Sequence, residues 1–346
     1  MDTAERTELV ARYTEEVVTE AELAALFDER DSPSVYIGYA PTGEMHIGHY
    51  TTIRKLADFM EAGLEVTVLV ADLHAHLDDT KSPFELLEAR SAYYRTAIEA
   101  MIEAAGADPA AVEFVRGTDY QLEEPYTLEL YRMLAETTLS RARRAGSEVV
   151  RQSKSPNLGG LVYTLMQSLD VAALEADVVY GGIDQRGIYM LAREQLPGRG
   201  HDKPVCVFAP LLSGLTGGKM SASESGSTID LTDDDGAVAE KVQAAYCPAG
   251  ELEDNGVLEY LRYLVFPVFE ERGETLVVER PAEYGGDLSY GGYDALESDF
   301  VSGELHPADL KPAAAAAIAD VIAPVRERLL EASTLLEDAY PETYGC

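Results

Sequence analysis

Apolar and polar residues follow two different periods along this chain. Residues 7–28 mix Val, Ala and Leu with Glu at helical spacing and predict one or two amphipathic helices. Residues 35–40 form a short apolar run that Pro41-Thr42-Gly43 breaks, so a strand ends there in a turn. Between 46 and 62, Ile47, Tyr50, Ile53, Leu56 and Met60 recur at three- and four-residue intervals and predict a helix. Residues 65–71, EVTVLVA, are continuous and β-branched, as expected of a strand covered on both faces. The same reading gives helices over 83–105, 126–144, 160–174 and 185–195, and short strands over 112–115, 177–180 and 205–208. From about residue 230 the strand signal fades, and 233–246, 257–264 and 311–336 have helical spacing. The tail from about 332 to 346 is acidic and poorly patterned and suggests no role, and no internal repeat is visible.

Strands alternating with helices predict βαβ units and a doubly wound parallel sheet with right-handed crossovers. The stretch from about 116 to 175 has helical patterns and no clear strand, so it reads as a helical insertion between the two halves of the sheet. The fold class is therefore α/β, with a first domain over 1–228 and a mainly α-helical C-terminal domain over 229–346.

Composition changes this picture in one respect. Hydrophobic residues make up 46% of the 346, enough for a normal buried core, and none of the apolar runs reaches the ~20 residues of a membrane span. The acidic N-terminus lacks a basic and apolar secretory signal, and Cys206, Cys247 and Cys346 are too few and too scattered for a disulfide framework or a metal knuckle. A reducing cytoplasm, with no membrane and no tightly bound metal, is expected. The charge is the unusual feature: 62 acidic against 27 basic side chains give a formal net charge of −35. Such acidity suits a surface adapted to molar salt, where a Debye length of about 3 Å screens self-repulsion. It also argues against a nucleic-acid partner, so any such partner must be carried by motifs.

Two segments can handle phosphate. The first, Pro41-Thr42-Gly43-Glu44-Met45-His46-Ile47-Gly48-His49, lies between a predicted strand and a predicted helix. Ligands of open α/β sheets bind beyond the carboxyl ends of the strands, and a helix N-terminus there offers free N–H groups and partial positive charge to an anion. Gly48 permits close approach of a nucleotide. His46 and His49 share one helix face, and both can donate to phosphate oxygens. A bare histidine pair at a helix start would more simply be capping or surface residues; the strand, turn and Gly48 favour the phosphate reading. The second segment is the loop Gly217-Gly218-Lys219-Met220-Ser221-Ala222-Ser223. Lys219 can stabilise charge on β and γ phosphates, and Ser221 and Ser223 add donors. It is not a phosphate-binding P-loop, because Gly214 is one residue too close and Met220 follows the lysine.

Together the His-Ile-Gly-His turn and the Lys-Met-Ser-x-Ser loop resemble the two signatures of class I aminoacyl-tRNA synthetases. The resemblance implies a Rossmann-like catalytic domain and nucleotidyl transfer without a protein nucleophile. His46, His49, Lys219, Ser221 and Ser223 would be catalytic; Gly48, Met220 and Ala222 would join His46, His49 and Lys219 in binding ATP, which arrives with magnesium. The chain departs from the pattern at Ala222, where many members keep a second lysine, and at the acidic Glu224 that follows. Archaeal-type members also lack that lysine, so the departure shifts the loop's burden to Lys219 and does not imply inactivity.

From about residue 14 to 330 the chain resembles archaeal and eukaryotic tyrosyl-tRNA synthetases, on the runs Val35-Tyr36-Ile37-Gly38-Tyr39, Ala71-Asp72-Leu73-His74-Ala75-His76-Leu77, Gly181-Gly182-Ile183-Asp184-Gln185-Arg186, Ala245-Tyr246-Cys247-Pro248-Ala249-Gly250 and Leu305-His306-Pro307-Ala308-Asp309-Leu310-Lys311. By that resemblance Tyr36 and Asp170 bind the substrate phenol, and Tyr163, Gln167 and Gln185 hold the α-amino group. The spacing of Tyr163, Gln167 and Asp170 puts them on one helix face. Polar groups at the floor of an aromatic slot suit a substrate bearing O–H, and tyrosyl-tRNA synthetases are themselves the standard instance of such discrimination. An Asp could also accept an indole N–H, which keeps the tryptophanyl branch as the rival; Tyr36 beside Asp170 favours tyrosine. His74 is expected at the pocket rim, and the His74–His76 pair lacks further metal ligands nearby.

The C-terminal helices resemble anticodon-binding helices. Tyr284, His306 and Asp309 match positions holding the first anticodon base, and Arg144 and Arg186 match positions that read the first acceptor base pair. An aromatic plus acceptors suits an unpaired RNA base. The resemblance further implies a homodimer formed through the insertion, with the apolar residues of 161–174 as candidates. Two readings compete: a shorter nucleotidyltransferase sharing the His-x-Gly-His turn, and a non-catalytic relative.

Overall fold

The computed structural model describes residues 1–78, 81–149, 157–218 and 226–344. Its main sheet contains β1 (Glu16–Val18), β2 (Ser34–Tyr39), β3 (Glu65–Val70), β4 (Glu113–Arg116), β5 (Val178–Gly182) and β6 (Val205–Ala209), in the order β1-β6-β5-β2-β3-β4. Strands β2 to β6 are parallel, and β1 pairs antiparallel with β6 at the edge. The order reverses between β2 and β5, the point where open α/β sheets bind ligands.

Around the sheet lie α1 (Thr3–Ala11), α2 (Glu20–Glu29), α3 (Ile47–Glu61), α4 (Asp72–Leu77) and α5 (Leu87–Ala104). The insertion holds α6 (Gly117–Tyr120), α7 (Glu124–Glu136), α8 (Leu139–Ala145) and α9 (Gly159–Ala173), and α10 (Arg186–Gln195) returns to the sheet. Beyond them come α11 (Asp235–Ala244), α12 (Gly256–Tyr260), α13 (Phe266–Arg272), α14 (Tyr293–Ser302), α15 (Pro307–Glu331), α16 (Ser333–Ala339) and α17 (Pro341–Tyr344).

Strand alternation sets where the chemistry lies. Val35 and Ile37 of β2 pack with Ile53, Phe59 and Ala97 on one face of the sheet, while Tyr36 points to the other face, among Leu69, Val179, Tyr189 and Phe208. The larger cluster runs without a break from the sheet into α12, α13 and α15, so the two ends of the chain share one core. A buried carboxylate, Asp58, fixes α3 within it: Arg12, Arg54 and Lys55 reach it at 2.8, 2.7 and 2.7 Å, and Arg54 continues to Glu271 of α13 at 2.8 Å. Buried pairs of this kind are screened far less by salt than surface pairs.

The structure differs from the sequence expectations in several places. Residues 16–18, expected inside a helix, form β1, which is three residues long and pairs through backbone alone, so no periodicity announces it. The helix expected over 126–144 is two, because Thr138 turns extended and caps α8 by accepting from Arg141 N–H. The C-terminal region also holds a two-stranded antiparallel sheet, β7 (Leu276–Val278) with β8 (Leu288–Tyr290). The tail forms α16 and α17 and packs on α5, with Ala339 and Tyr340 buried. The apolar residues of α9 expected at a dimer surface are largely core: Leu165, Met166, Leu169 and Val171 are buried.

Candidate active site

A cavity of about 360 Å³ opens at the carboxyl ends of β2 and β5 and is lined by Gly38, Tyr39, His46, Gly48, His49, Tyr163, Gly181, Asp184 and Gln185 among others. Sequence reasoning had not singled out Asp184. A Cβ at Gly181 would come within 2.5 Å of Gln185 Oε1, so that glycine lets Gln185 fold back over β5.

His46 is the N-cap of α3 and His49 its third residue. Their Nδ1 atoms accept: Gly48 N–H donates to His46 Nδ1 at 3.2 Å, and His46 N–H donates to His49 Nδ1 at 3.1 Å. An accepting Nδ1 requires the neutral tautomer with hydrogen on Nε2. Burial agrees, pushing His46 down to about 4, against the opposing pull of Asp230, and His49 well below the usual histidine range, helped by its neighbour His46. The free N–H groups expected at this helix start are absent among the first residues: Ile47 N–H donates to Ile229 O at 2.9 Å and His49 N–H to His46 O at 2.8 Å. What remains for an anion is the helix dipole and two imidazole Nε2–H donors on rings 4.2 Å apart.

The Ile47–Ile229 bond has a second consequence. Leu215 N–H donates to Ser227 O at 2.8 Å, so the base of the lysine loop is closed by backbone pairing and its continuation is tied to the histidine turn. The two signatures meet although roughly 170 residues separate them in sequence. Lys219, Met220, Ser221, Ala222, Ser223 and Glu224 themselves lie outside the described residues.

Behind the cavity the insertion closes a buried polar floor. Asp170 on α9 is fully buried, and its Oδ1 accepts from Tyr120 Oη, Gln121 Nε2 and Tyr126 Oη, each at 2.8 Å. Its Oδ2 has no hydrogen-bond partner among the described residues; His74 Nε2 stands 3.5 Å away, an ion-pair contact only when that ring is protonated, and burial pushes the ring toward the neutral form. Burial raises the Asp170 carboxyl above its usual range, with His74 and the three donors pulling the other way. Tyr36 Oη donates to Gln167 O at 3.3 Å, and Gln167 Nε2 donates to Gln185 Oε1 at 2.9 Å. Tyr163 stands edge-on to His74 with centroids 4.7 Å apart. The structure thus gathers Tyr36, Tyr163, Gln167, Asp170 and Gln185. It moves His74 from the expected rim to the floor, where it is 2% exposed. Tyr120, Gln121 and Tyr126 were missed, since nothing in the spacing of the insertion marks them as partners of a residue more than forty positions away.

The RNA-side residues are elsewhere. Arg144 is exposed at the end of α8, and Arg186 starts α10 with its guanidinium on Glu16 at 2.5 and 2.9 Å. A Cβ at Gly187 would come within 2.4 Å of Ala145 O, so the two arginines flank a close helix crossing. Tyr284 is 65% exposed, and exposed His306 caps α15 one turn from Asp309. Arg280 joins the two segments, donating to Gly286 O at 2.9 Å and to Glu304 O at 2.7 Å. Among the described residues no group of three or more His, Cys, Asp or Glu side chains could hold a metal ion.

Comparison with known proteins gives concordant findings. Residues 28–323 match the family model described as tRNA synthetases class I (W and Y). The chain is 75% identical over 344 residues to a tyrosine–tRNA ligase of Natronomonas pharaonis, covering 99% of this chain and 100% of the relative. It is 72% identical over 345 residues to that of Haloarcula marismortui, covering 100% and 99%; both sources are halophilic archaea. The crystal structure of tyrosyl-tRNA synthetase complexed with L-tyrosine from Archaeoglobus fulgidus superposes with a TM-score of 0.89 at 44% identity, covering 95% of this chain and 100% of that one.

Proposed function

The chain belongs to the class I tRNA synthetases of the tryptophan and tyrosine branch, and from that premise we propose how its residues divide the work. The activity is tyrosine–tRNA ligation: L-tyrosine and ATP give tyrosyl-adenylate and pyrophosphate, and the tyrosyl group then passes to the 3′-terminal adenosine of tRNA. Its acidic composition accords with the halophilic sources of its relatives.

Asp170 Oδ2 accepts the substrate phenol O–H, and Tyr36 Oη, which in the empty site donates to Gln167 O, donates to the phenol oxygen. The observation that carries this reading is the division of the carboxylate: three donors saturate Oδ1, and among the described residues Oδ2 has no hydrogen-bond partner in a fully buried site. An unpartnered buried carboxylate oxygen is costly, and a phenol relieves the cost where phenylalanine cannot. Tyr163, Gln167 and Gln185 hold the α-amino group and fix the tyrosine carboxylate facing the open cavity.

ATP lies over Gly38, Gly48 and the α3 turn, with magnesium arriving as part of the nucleotide substrate. One tyrosine carboxylate oxygen bonds to the α phosphorus while the bond from that phosphorus to the bridging oxygen of pyrophosphate breaks and its electron pair leaves with pyrophosphate. The α-phosphoryl oxygens gain charge in the transition state, and neutral His46 and His49 donate their Nε2–H to them. Lys219, with Ser221, Ser223 and the backbone of Met220 and Ala222, receives the β and γ phosphates. The chemistry is positioning plus fixed dipoles and needs no protein nucleophile.

The division into a catalytic part over 1–228 and an anticodon-binding part over 229–346 is one of function, since both share a core. Arg144 and Arg186 receive the acceptor end; Tyr284, His306 and Asp309 receive an anticodon base. In molar salt counterion release contributes little, so stacking and base-edge contacts carry recognition. Replacing Asp309 by alanine should leave ATP–pyrophosphate exchange unchanged and lower kcat/KM for tRNA charging by roughly 10-fold or more, the scale of one lost base contact. Equal losses in both assays would overturn the assignment.

The chain assembles as a homodimer through the insertion. Support comes from Leu122, Leu128, Tyr131, Leu134 and Leu139, large apolar side chains exposed just before α7, along α7 and at the start of α8. In molar KCl the protein should elute with about twice its 37.6 kDa chain mass, and Tyr131→Asp should halve that mass. A single-chain mass for the unaltered protein would contradict this interface. We place the protein in the cytoplasm, supported by its two free cysteines, Cys206 and Cys247, among the described residues.

A further inference from the structure

The histidine turn is held from outside by the tail. Pro41, Thr42 and Gly43 precede α3, where their carbonyls have no helix or strand to satisfy them. Side chains do so instead: Ser82 Oγ donates to Pro41 O at 2.6 Å, and Arg90 Nη1 donates to Thr42 O at 3.1 Å. Two phenols converge on the next carbonyl, Tyr94 Oη donating to Gly43 O at 2.7 Å and Tyr340 Oη at 2.6 Å. Met45 N–H then donates to Tyr93 Oη at 3.1 Å.

Ser82, Arg90, Tyr93 and Tyr94 precede or lie on α5, whereas Tyr340 follows α16 at the far end of the C-terminal region. The same buried Arg90 that holds Thr42 O also donates through Nε to Ala339 O at 3.0 Å and pairs through Nη2 with Glu342 at 2.9 Å. Its guanidinium lies 4.7 Å from the Tyr340 ring centroid, and that ring meets Tyr93 edge-on at 5.5 Å. Tyr344 Oη adds a bond to Glu44 Oε2 at 2.6 Å.

We propose that residues 339–344 are a strap that positions the ATP half of the active site, with Tyr340 its positioning residue. Among the described residues the strap makes no bond to the cavity itself. It fixes the turn from which His46 and His49 project, and two donors converging on one oxyanion must be held to within about 0.5 Å to act together. The residues of the tyrosine half, Tyr36, Tyr163, Gln167 and Asp170, share none of these bonds; their partners come from β2, α4, the insertion and the turn between β5 and α10. Loosening the strap should therefore act on ATP and spare tyrosine. The inference rests on the reading that the α3 histidines receive ATP phosphate.

The test is Tyr340→Phe in the full chain, assayed by ATP–pyrophosphate exchange in molar KCl with ATP and tyrosine varied separately. The ring packing is kept and one neutral hydrogen bond is lost, so KM for ATP should rise roughly 3- to 10-fold with KM for tyrosine unchanged. Tyr94→Phe removes the other donor to the same carbonyl and should give the same ATP-specific signature, and the double variant should exceed the product of the two. An unchanged KM for ATP in both single variants overturns the proposal, as does a parallel rise of both KM values. Should His49→Ala impair catalysis while both phenol variants behave as the unaltered protein, the strap fails alone; should His49→Ala also have no effect, the phosphate-site reading fails first.

Discussion

Asp170→Asn should lower kcat/KM for tyrosine in pyrophosphate exchange by about 10²- to 10³-fold, with the loss confined to the amino-acid side. Acceptor capacity sets the size of the loss. A carboxylate accepts on both oxygens, and here one oxygen is saturated by Tyr120, Gln121 and Tyr126. An amide has a single acceptor oxygen. If that oxygen faces the three donors, an NH₂ group meets the substrate phenol; if it faces the phenol, NH₂ collides with donors. Losing a hydrogen bond to a charged acceptor and leaving a buried group mismatched together cost about 2 to 4 kcal/mol. Discrimination against phenylalanine should shrink with it. The thermal midpoint should not fall, which separates this effect from unfolding. Burial raises the folded pKa of Asp170, so the ionised form is a net cost to folding above the unfolded carboxylate range, and a neutral amide removes that cost at neutral pH. A variant that loses tyrosine activity only in proportion to lost folded protein would contradict the role given to Asp170.

The second large effect belongs to His49. His49→Ala should lower kcat for adenylate formation by about 10²- to 10³-fold, the range for removing one preorganised donor to a developing oxyanion. KM for tyrosine should hold. Some stability goes too, about 1 kcal/mol, because His46 N–H loses its cap acceptor. The unaltered enzyme carries a pH signature of the same arrangement. With His46 down near 4 and His49 well below the usual histidine range, both stay neutral through the usual assay range. KM for ATP should then be flat between about pH 6 and 8. On further acidification the unfolded chain takes up protons near the ordinary histidine value while folded His46 resists until about pH 4, so stability conferred by its neutral imidazole is lost as pH falls across that window. A break in KM for ATP near 6.5 would show that the histidines work as imidazolium ions.

The sequence made some parts of this site legible and hid others, for local reasons. The doubly wound sheet could be read because β2, β3, β5 and β6 are continuous apolar runs next to strong turn signals. The histidine turn could be read because its residues are contiguous. Its tautomers and its lack of free N–H groups could not, since these depend on Nδ1 geometry and on Ile229, about 180 residues away. Asp170 was reached through resemblance and helix spacing, but its three partners arrive from α6, α7 and the link between them with no periodic mark. His74 is expected at the rim, whereas the closure of α9 over α4, which no local pattern announces, buries it in the floor. The tail read as unpatterned because its order comes from a few specific contacts, Tyr340 on Tyr93 and Arg90, and not from an amphipathic face.

The most direct measurement is amino-acid-dependent ATP–pyrophosphate exchange in molar KCl, with tyrosine, tryptophan and phenylalanine supplied separately to protein shown to be folded at that salt. Exchange is expected with tyrosine alone, because only a phenol supplies an O–H at the depth of Asp170 Oδ2. Comparable exchange with tryptophan or phenylalanine would contradict the phenol-reading floor, and the absence of exchange with all three would contradict the catalytic reading of the site.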